Sequence, residues 1–452
     1  LTLKKKLEEG TVDLDTLVAR TLLREAADGV AAHSDYARHL VLLLKKAAEG
    51  KGGDQGIKDE AALRRNARLW KIPEEGRSIS EVALDLANLL LHEFASQEDL
   101  LATVNLAPAP QRAVWEKLHI SPLGVDRMVV EALHNSAMGV NQDYVHLLLS
   151  AIQVSLADGW GASRIASAVA DILFGTPMPT QSGNNLLALR GEKVNAATLD
   201  LEAAAKGPLV SGFSVEAIRY MLGGTFRASF RPLNDAIMSG RIRGVAGLVG
   251  CENPSAQVDS YIHTLTTELL KNNVLVLTTG GAALGLARVG MLSPEMGLVH
   301  TGSGLREVCE AVGMPPVLHM GNGVDNTRIL EAATEIVREG GLGDDLSQIP
   351  AVGLAPEWMD GKAVAAGCYF VASGIDVVLG HPFHIGGSDK VGKFLGEGAQ
   401  EAFGASFHVC ADPHEAAKKV LELLEADRDR LGINRKQERK MYDMKDRRDL
   451  VV

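Results

Sequence analysis

This 452-residue chain is poor in the groups that announce many functions. It has only four cysteines, Cys251, Cys309, Cys368 and Cys410, far apart and without a CxxC pair, so neither a disulfide framework nor a zinc knuckle is written in it. Aromatic residues make up only 4%. No apolar run reaches the ~18 residues a membrane span needs, and the opening Leu1–Glu9 lacks a signal-peptide apolar core, so a cytoplasmic protein is expected. Positive charge is short as well: 46 Lys and Arg face 57 Asp and Glu, a net charge of -11 that repels phosphate backbones and anionic membranes. Nucleic acid and membrane are therefore not expected as partners.

What is present is globular. Hydrophobic residues at 46% and charged residues at 23% suit packed cores, and the length suggests about three domains at ~150 residues each, or two large ones. Glycine is abundant at 47 residues, as expected where tight strand-to-helix turns need positive φ.

From about Asp13 to Phe174 apolar residues recur at helical spacing (Leu14, Leu17, Val18, Leu22, Ala26), which predicts an all-α region over 1–178. Ser34, Ser80 and Ser121 before Pro122 are candidate N-caps, because a hydroxyl can accept from free first-turn amides. The polar stretch Lys46 to Lys58 reads as a solvated loop. Over 179–224 the pattern weakens, and Asp200 to Pro208 looks like a short helical linker with a Gly-Pro stop. From Arg243 the period changes. Apolar runs at Val245–Val249, Val274–Leu277, Pro316–His319, Ala351–Leu354, Asp376–Leu379 and Ser406–Val409 alternate with helical segments, the rhythm of a doubly wound parallel sheet. The fold class is α/β: a helical N-terminal domain, a Rossmann-like domain over 225–431 and a charged tail over 432–452, read as solvated.

In such sheets ligands gather outside the carboxyl ends of the strands, where helix N-termini offer free amides. Those ends carry Cys251-Glu252-Asn253-Pro254, Thr278-Thr279-Gly280-Gly281, His319 to Asn326, Pro356-Glu357-Trp358 and His381-Pro382-Phe383-His384. The turns Gly280-Gly281 and Gly321-Asn322-Gly323 precede helical segments, so two bare helix starts facing one crevice are expected. Thr279, Gly280, Gly281, Asn322, Gly323, Asp325, Asn326 and Glu357 are the candidate ligand-binding residues, and a small carboxylate or phosphate is the candidate ligand. The full dinucleotide fingerprint is missing.

Several motifs carry a resemblance. Val249 to Pro254, Asn273 to Gly280, Pro315 to Gly321 with Val324-Asp325-Asn326, and Ala355 to Met359 followed by Lys362-Ala363-Val364 and Tyr369 to Gly374 resemble the anaerobic nickel–iron carbon monoxide dehydrogenases, within the family they share with hybrid cluster proteins. Asp15 to Leu23, Ala31 to Asp35, Leu156 to Gly161 and Asp171 to Pro177 are similar to that family's helical domain. The resemblance implies a nickel–iron–sulfur cluster, further [4Fe–4S] clusters and a homodimer. It also implies three cluster cysteines on the α/β domain. Here Cys251 fills one of those positions, while Gly281 and Gly323 stand at the other two. The remaining ligands belong to a middle α/β domain, whose place between Lys193-Val194-Asn195 and Gly212 to Ala217 is taken by the short linker.

One thiolate cannot hold a cubane that takes about four. No bound cofactor is therefore expected, and CO oxidation is not expected either. Cys309, Cys368 and Cys410 read as packing residues, and Cys251 as the one surviving metal position. By resemblance Lys362 matches an active-site lysine and His33 a histidine ladder, with Tyr36 interrupting the spacing toward His39. The leading expectation is a carbon monoxide dehydrogenase-like protein without its active cluster, its crevice holding a small anion. The alternatives are an interaction or regulatory protein that pairs with itself or a full-length relative, and a metalloenzyme with a reduced cluster.

Overall fold

The structure is a computed structural model that describes residues 5, 8–10, 13–52, 56–181, 209–224, 227–250, 260–356, 361–382 and 386–434. Among these, α1 (Leu14–Ala48), α2 (Glu60–Leu69), α3 (Ile79–Ala95), α4 (Ala109–Lys117), α5 (Val125–Asn135), α6 (Tyr144–Ala157) and α7 (Ser163–Phe174) build the helical region. A short antiparallel pair, β1 (Thr180–Gln181) with β2 (Val210–Ser211), and the helices α8 (Val215–Gly223) and α9 (Arg231–Met238) lead into the sheet region.

There the order is β3 (Gly244–Leu248), α10 (Ser260–Lys271), β4 (Val274–Thr278), α11 (Gly280–Arg288), α12 (Pro294–His300), α13 (Ser303–Val312), β5 (Val317–His319), α14 (Asn326–Glu339) and β6 (Ala351–Ala355). The chain continues with α15 (Gly361–Ala372), β7 (Asp376–Leu379), α16 (Asp389–Lys393), α17 (Ala399–Phe403), β8 (Phe407–Val409) and α18 (Pro413–Arg430). All six apolar runs are strands. They pair in parallel in the order β5-β4-β3-β6-β7-β8, which reverses direction at β3 and β6 as a doubly wound sheet does. Every residue of β3 and β4 is buried, because helices cover both faces.

The three proposed N-caps are corrected. Ser34 is buried in the interior of α1, whose apolar spacing continues on both sides of it. Ser80 lies within α3, whose N-cap is two residues earlier: Ser78 accepts from the Glu81 amide, and Glu81 reaches back to the Ser78 amide in a capping box. Ser121 precedes α5, whose cap position is Gly124. The loop expected from Lys46 begins only after Ala48, the last residue of α1. The linker from Asp200 to Pro208 and the tail from residue 435 lie outside the described residues.

α1 is the axis of the helical region, packed by α3, α5, α6 and α7. Its remaining side is covered by α15 from the sheet region. All ten residues Ala363–Ala372 of α15 are buried, and small side chains let the two helices close in. A Cβ on Gly29 would stand 2.3 Å from the Gly361 carbonyl oxygen, so only glycine fits there. Polar anchors fix the same junction. The Trp115 indole donates to the Ala372 carbonyl at 2.6 Å, and the Trp160 indole to Ser373 Oγ at 3.2 Å.

Candidate functional site

Three groups of chemistry-bearing residues lie along the junction of the two regions. The first is the strand-end pair of turns. Thr279, Gly280, Asn322, Gly323, Asp325 and Asn326 come together as the sequence suggests: Thr279 Oγ1 hydrogen-bonds Asn326 Oδ1, and the Gly280 amide donates to the Gly321 carbonyl at 2.9 Å. A Cβ on Gly280 would stand only 3.4 Å from the Gly323 nitrogen, so the turns touch. Gly321 has φ +143, and a Cβ there would overlap the Asp325 carboxylate at 2.2 Å.

The expected pair of bare helix starts is corrected at this point. The Asn322 side chain accepts from the Val324 amide at 2.9 Å, and Asp325 Oδ2 accepts from the Asn322 amide at 2.9 Å. On the other turn the Ala282 amide donates to the Gly250 carbonyl at 3.0 Å. Short polar side chains next to a helix start compete for its amides, and the Asp325 carboxylate repels an incoming anion. Gly281 is the second residue of α11, beside these turns. Cys251 and Glu357 lie outside the described residues.

Asp325 is itself anchored on the helical region. It accepts from Ser167 Oγ of α7 at 2.6 Å and from Arg328 Nε at 3.0 Å, while Arg328 reaches Asp171 of α7 at 2.6 Å. Burial pushes the Asp171 carboxyl up to about 6 against the pull of Arg328. Burial works against the charge of Arg328 too, but Asp171 and Asp325 outweigh it and hold the guanidinium protonated. Beyond the turn, Thr327 donates to the Gly159 carbonyl at 2.9 Å.

Gly159 belongs to a wide π turn, Asp158–Ala162, that joins α6 to α7 and carries the second group. His33 of α1 places Nδ1 2.8 Å from the Asp158 carboxylate, and Ser163 Oγ donates to that carboxylate at 2.8 Å. All three are buried, and His33 Nε2 has no hydrogen-bond partner. The Tyr369 ring lies against Gly159, and burial followed by Asp158 raises its phenol well above the ordinary value. A carboxylate on Nδ1 fixes the tautomer and aims Nε2. Lys362 is exposed in the first turn of α15, where the backbone abuts Gly29, one helical turn before His33. The two vestigial candidates therefore share a helix pair, one buried and one in solvent.

Among the described residues the three cysteines, Cys309, Cys368 and Cys410, do not form a metal-binding group. Cys309 is buried in α13, where burial raises its thiol, and Cys368 is buried in α15 with its thiol pushed up to about 12. Cys410 follows β8 half-buried, its thiol also raised by burial. Metal ligation needs the thiolate, which burial disfavours. Among the described residues no group of three His, Cys, Asp or Glu side chains is placed to hold a metal ion. With Gly281 and Gly323 at the strand ends, the described residues do not fit an iron–sulfur cubane.

The third group was not anticipated from the sequence: a cavity of about 450 Å³ between α2, α7, α8 and α14, lined by five arginines and five acids. A signal for it exists. Arg328, Glu331, Thr334, Glu335 and Arg338 recur at helical spacing, a polar stripe beside the apolar stripe of Leu330, Ala333 and Ile336.

The relatives of this chain agree with its architecture. The sequence profile of the Prismane/CO dehydrogenase family matches residues 11–199 and 192–414. Carbon monoxide dehydrogenase 1 of Methanosarcina mazei is 36% identical over 557 residues, covering 93% of this chain and 87% of that protein. Carbon monoxide dehydrogenase 1 of Carboxydothermus hydrogenoformans is 28% identical, covering 93% and 89%. An as-isolated, Ni-free crystal structure of carbon monoxide dehydrogenase from Thermococcus sp. AM4 superposes with a TM-score of 0.83 at 32% identity, covering 92% of this chain and 87% of the other. A matched span of 557 positions cannot be filled by 452 residues, so the Methanosarcina protein carries at least about 100 internal residues without a counterpart here. The chain belongs to the Prismane/CO dehydrogenase family.

Proposed function

We propose that this chain is a carbon monoxide dehydrogenase-like protein that does not assemble the nickel–iron–sulfur centre and does not oxidise CO, and that it binds a small anionic ligand instead. One observation carries the first part: glycine stands at 281 and 323, where the resemblance implies cluster thiolates, and glycine has no side chain to donate. A cubane takes about four thiolates, and the cysteines of α13 and α15 are buried as neutral thiols. CO oxidation requires a metal to bind CO, a second to activate hydroxide and an exit for two electrons, none of which amino-acid side chains supply.

The test is CO-dependent reduction of a viologen dye under anaerobic conditions, after the purified protein has been incubated with iron, sulfide and nickel under reducing conditions. The expected rate equals that of a protein-free control. Dye reduction that requires both CO and the protein would refute the proposal.

A further inference from the structure

The cavity between α2, α7, α8 and α14 holds hydrogen-bonding capacity that its own walls leave unused. Its carboxylates are already engaged. Glu331 pairs with Arg164 at 3.1 Å, and Asp171 with Arg328 at 2.6 Å. Glu335 takes both Arg219 and, at 2.8 Å, Arg338. Glu339 accepts the Phe230 amide at 3.1 Å, and Glu216 lies 3.4 Å from Arg65.

The arginines are not exhausted in the same way. A guanidinium carries five N–H donors in a fixed fork and accepts nothing. The Nε atoms of Arg164 and Arg219 are buried without a hydrogen-bond partner, and no lining carboxylate has a buried oxygen in that state. Arg164 comes from α7 and Arg219 from α8, so the orphaned donors belong to two different walls. The hydrogen-bonding capacity these walls leave unused is donor capacity, on Arg164 and Arg219. Its volume of about 450 Å³ lies in the range of small-molecule sites and exceeds the need of one water, whose share of the liquid is about 30 Å³.

We infer that this cavity binds a small multivalent oxyanion, a di- or tricarboxylate or a phosphorylated metabolite, held by the guanidiniums of Arg164 and Arg219 with Arg65 and Arg338 at its sides. Carboxylates and phosphates each present paired acceptor oxygens that the planar arginine fork matches, and charge-assisted contacts of this kind are the strong ones. The cavity adjoins the strand-end turns, since Ser167 and Arg328 line it and bond Asp325, and it does not depend on whether a metal centre forms.

The test is isothermal titration of the whole protein at low ionic strength with citrate, pyrophosphate and inorganic phosphate as probes. Citrate separates a carboxylate ligand from the phosphate class that pyrophosphate represents. At least one of these two multivalent probes is expected to bind with a submillimolar Kd, more tightly than inorganic phosphate.

Arg219→Gln and Arg338→Gln test the location. Their side chains are 40% and 45% exposed, so both variants are expected to fold, which thermal melting checks. Each is expected to weaken binding by about tenfold or more, the usual consequence of losing a charge-assisted contact. Gly323→Trp fills open space at the strand-end turns, since a Cβ there meets nothing within 4 Å, and it is expected to leave the affinity unchanged. Absence of binding by both multivalent probes would overturn the inference. So would binding that survives both arginine variants or is lost in Gly323→Trp.

Discussion

The helical region meets the sheet region through two seams of opposite chemistry. Along α1 and α15 the contact is dry, made of glycine, alanine and buried aromatic side chains, with Gly29 against the Gly361 backbone. Along α7 and α14 it is ionic: Arg328 bridges Asp171 and Asp325, Ser167 reaches Asp325, and the arginine-lined cavity opens alongside. The dry seam is held mainly by shape, although His33 Nε2 is buried there without a partner. The ionic seam keeps charges out of water only by pairing them, and the pairs are incomplete at Arg164 and Arg219. The proposed ligand site lies at the second seam for that reason.

The largest effect expected from separating the two is at Arg328. Arg328→Ala would leave two buried carboxylates facing each other, and urea denaturation should show a loss of about 4 kcal/mol, the usual cost of breaking a buried ion pair from one side. A loss below about 1 kcal/mol would mean that water already reaches the pair.

The ionic seam should also respond to pH. Burial lifts Asp171 from 3.8 to about 6, so between those values the folded chain retains a proton that the unfolded chain has released. More protons on the folded side means that this contribution is fully present below about pH 4 and is lost as pH rises through about 6. Relative to Asp171→Asn, the wild type should therefore lose stability across that window, by no more than about 3 kcal/mol.

At the dry seam, Gly29→Val drives a side chain into backbone and should cost about 2–3 kcal/mol, equally at both ends of that pH window. A cost that changed with pH would tie the two seams together. The smallest effect lies outside both: Ser78→Ala removes the hydroxyl of the α3 capping box, for about 1 kcal/mol in thermal or urea melts.

The six strands were legible because parallel strands covered on both faces must be apolar throughout, as Val274 to Leu277 is. The helix starts were less so. A hydroxyl before an acidic residue marks a cap only where the apolar period breaks, and it does not break at Ser34. At α3 the Ser78-to-Glu81 spacing was the stronger signal, and Ser80 masked it. Thr279, Gly280, Asn322, Gly323, Asp325 and Asn326 lie together, but composition does not reveal that Asn322 and Asp325 turn inward to cap their own backbone. The cavity is not legible in the sequence because charges at helical spacing normally mark a solvated face, and only the packing of α14 against α7 shows that these line a cavity.

The central claim is that this family member carries no inorganic redox centre. Anaerobic purification followed by iron, nickel and acid-labile sulfide analysis tests it most directly. The account predicts only trace metal and sulfide, whereas about four irons with matching sulfide per chain, the content of one cubane, would contradict it.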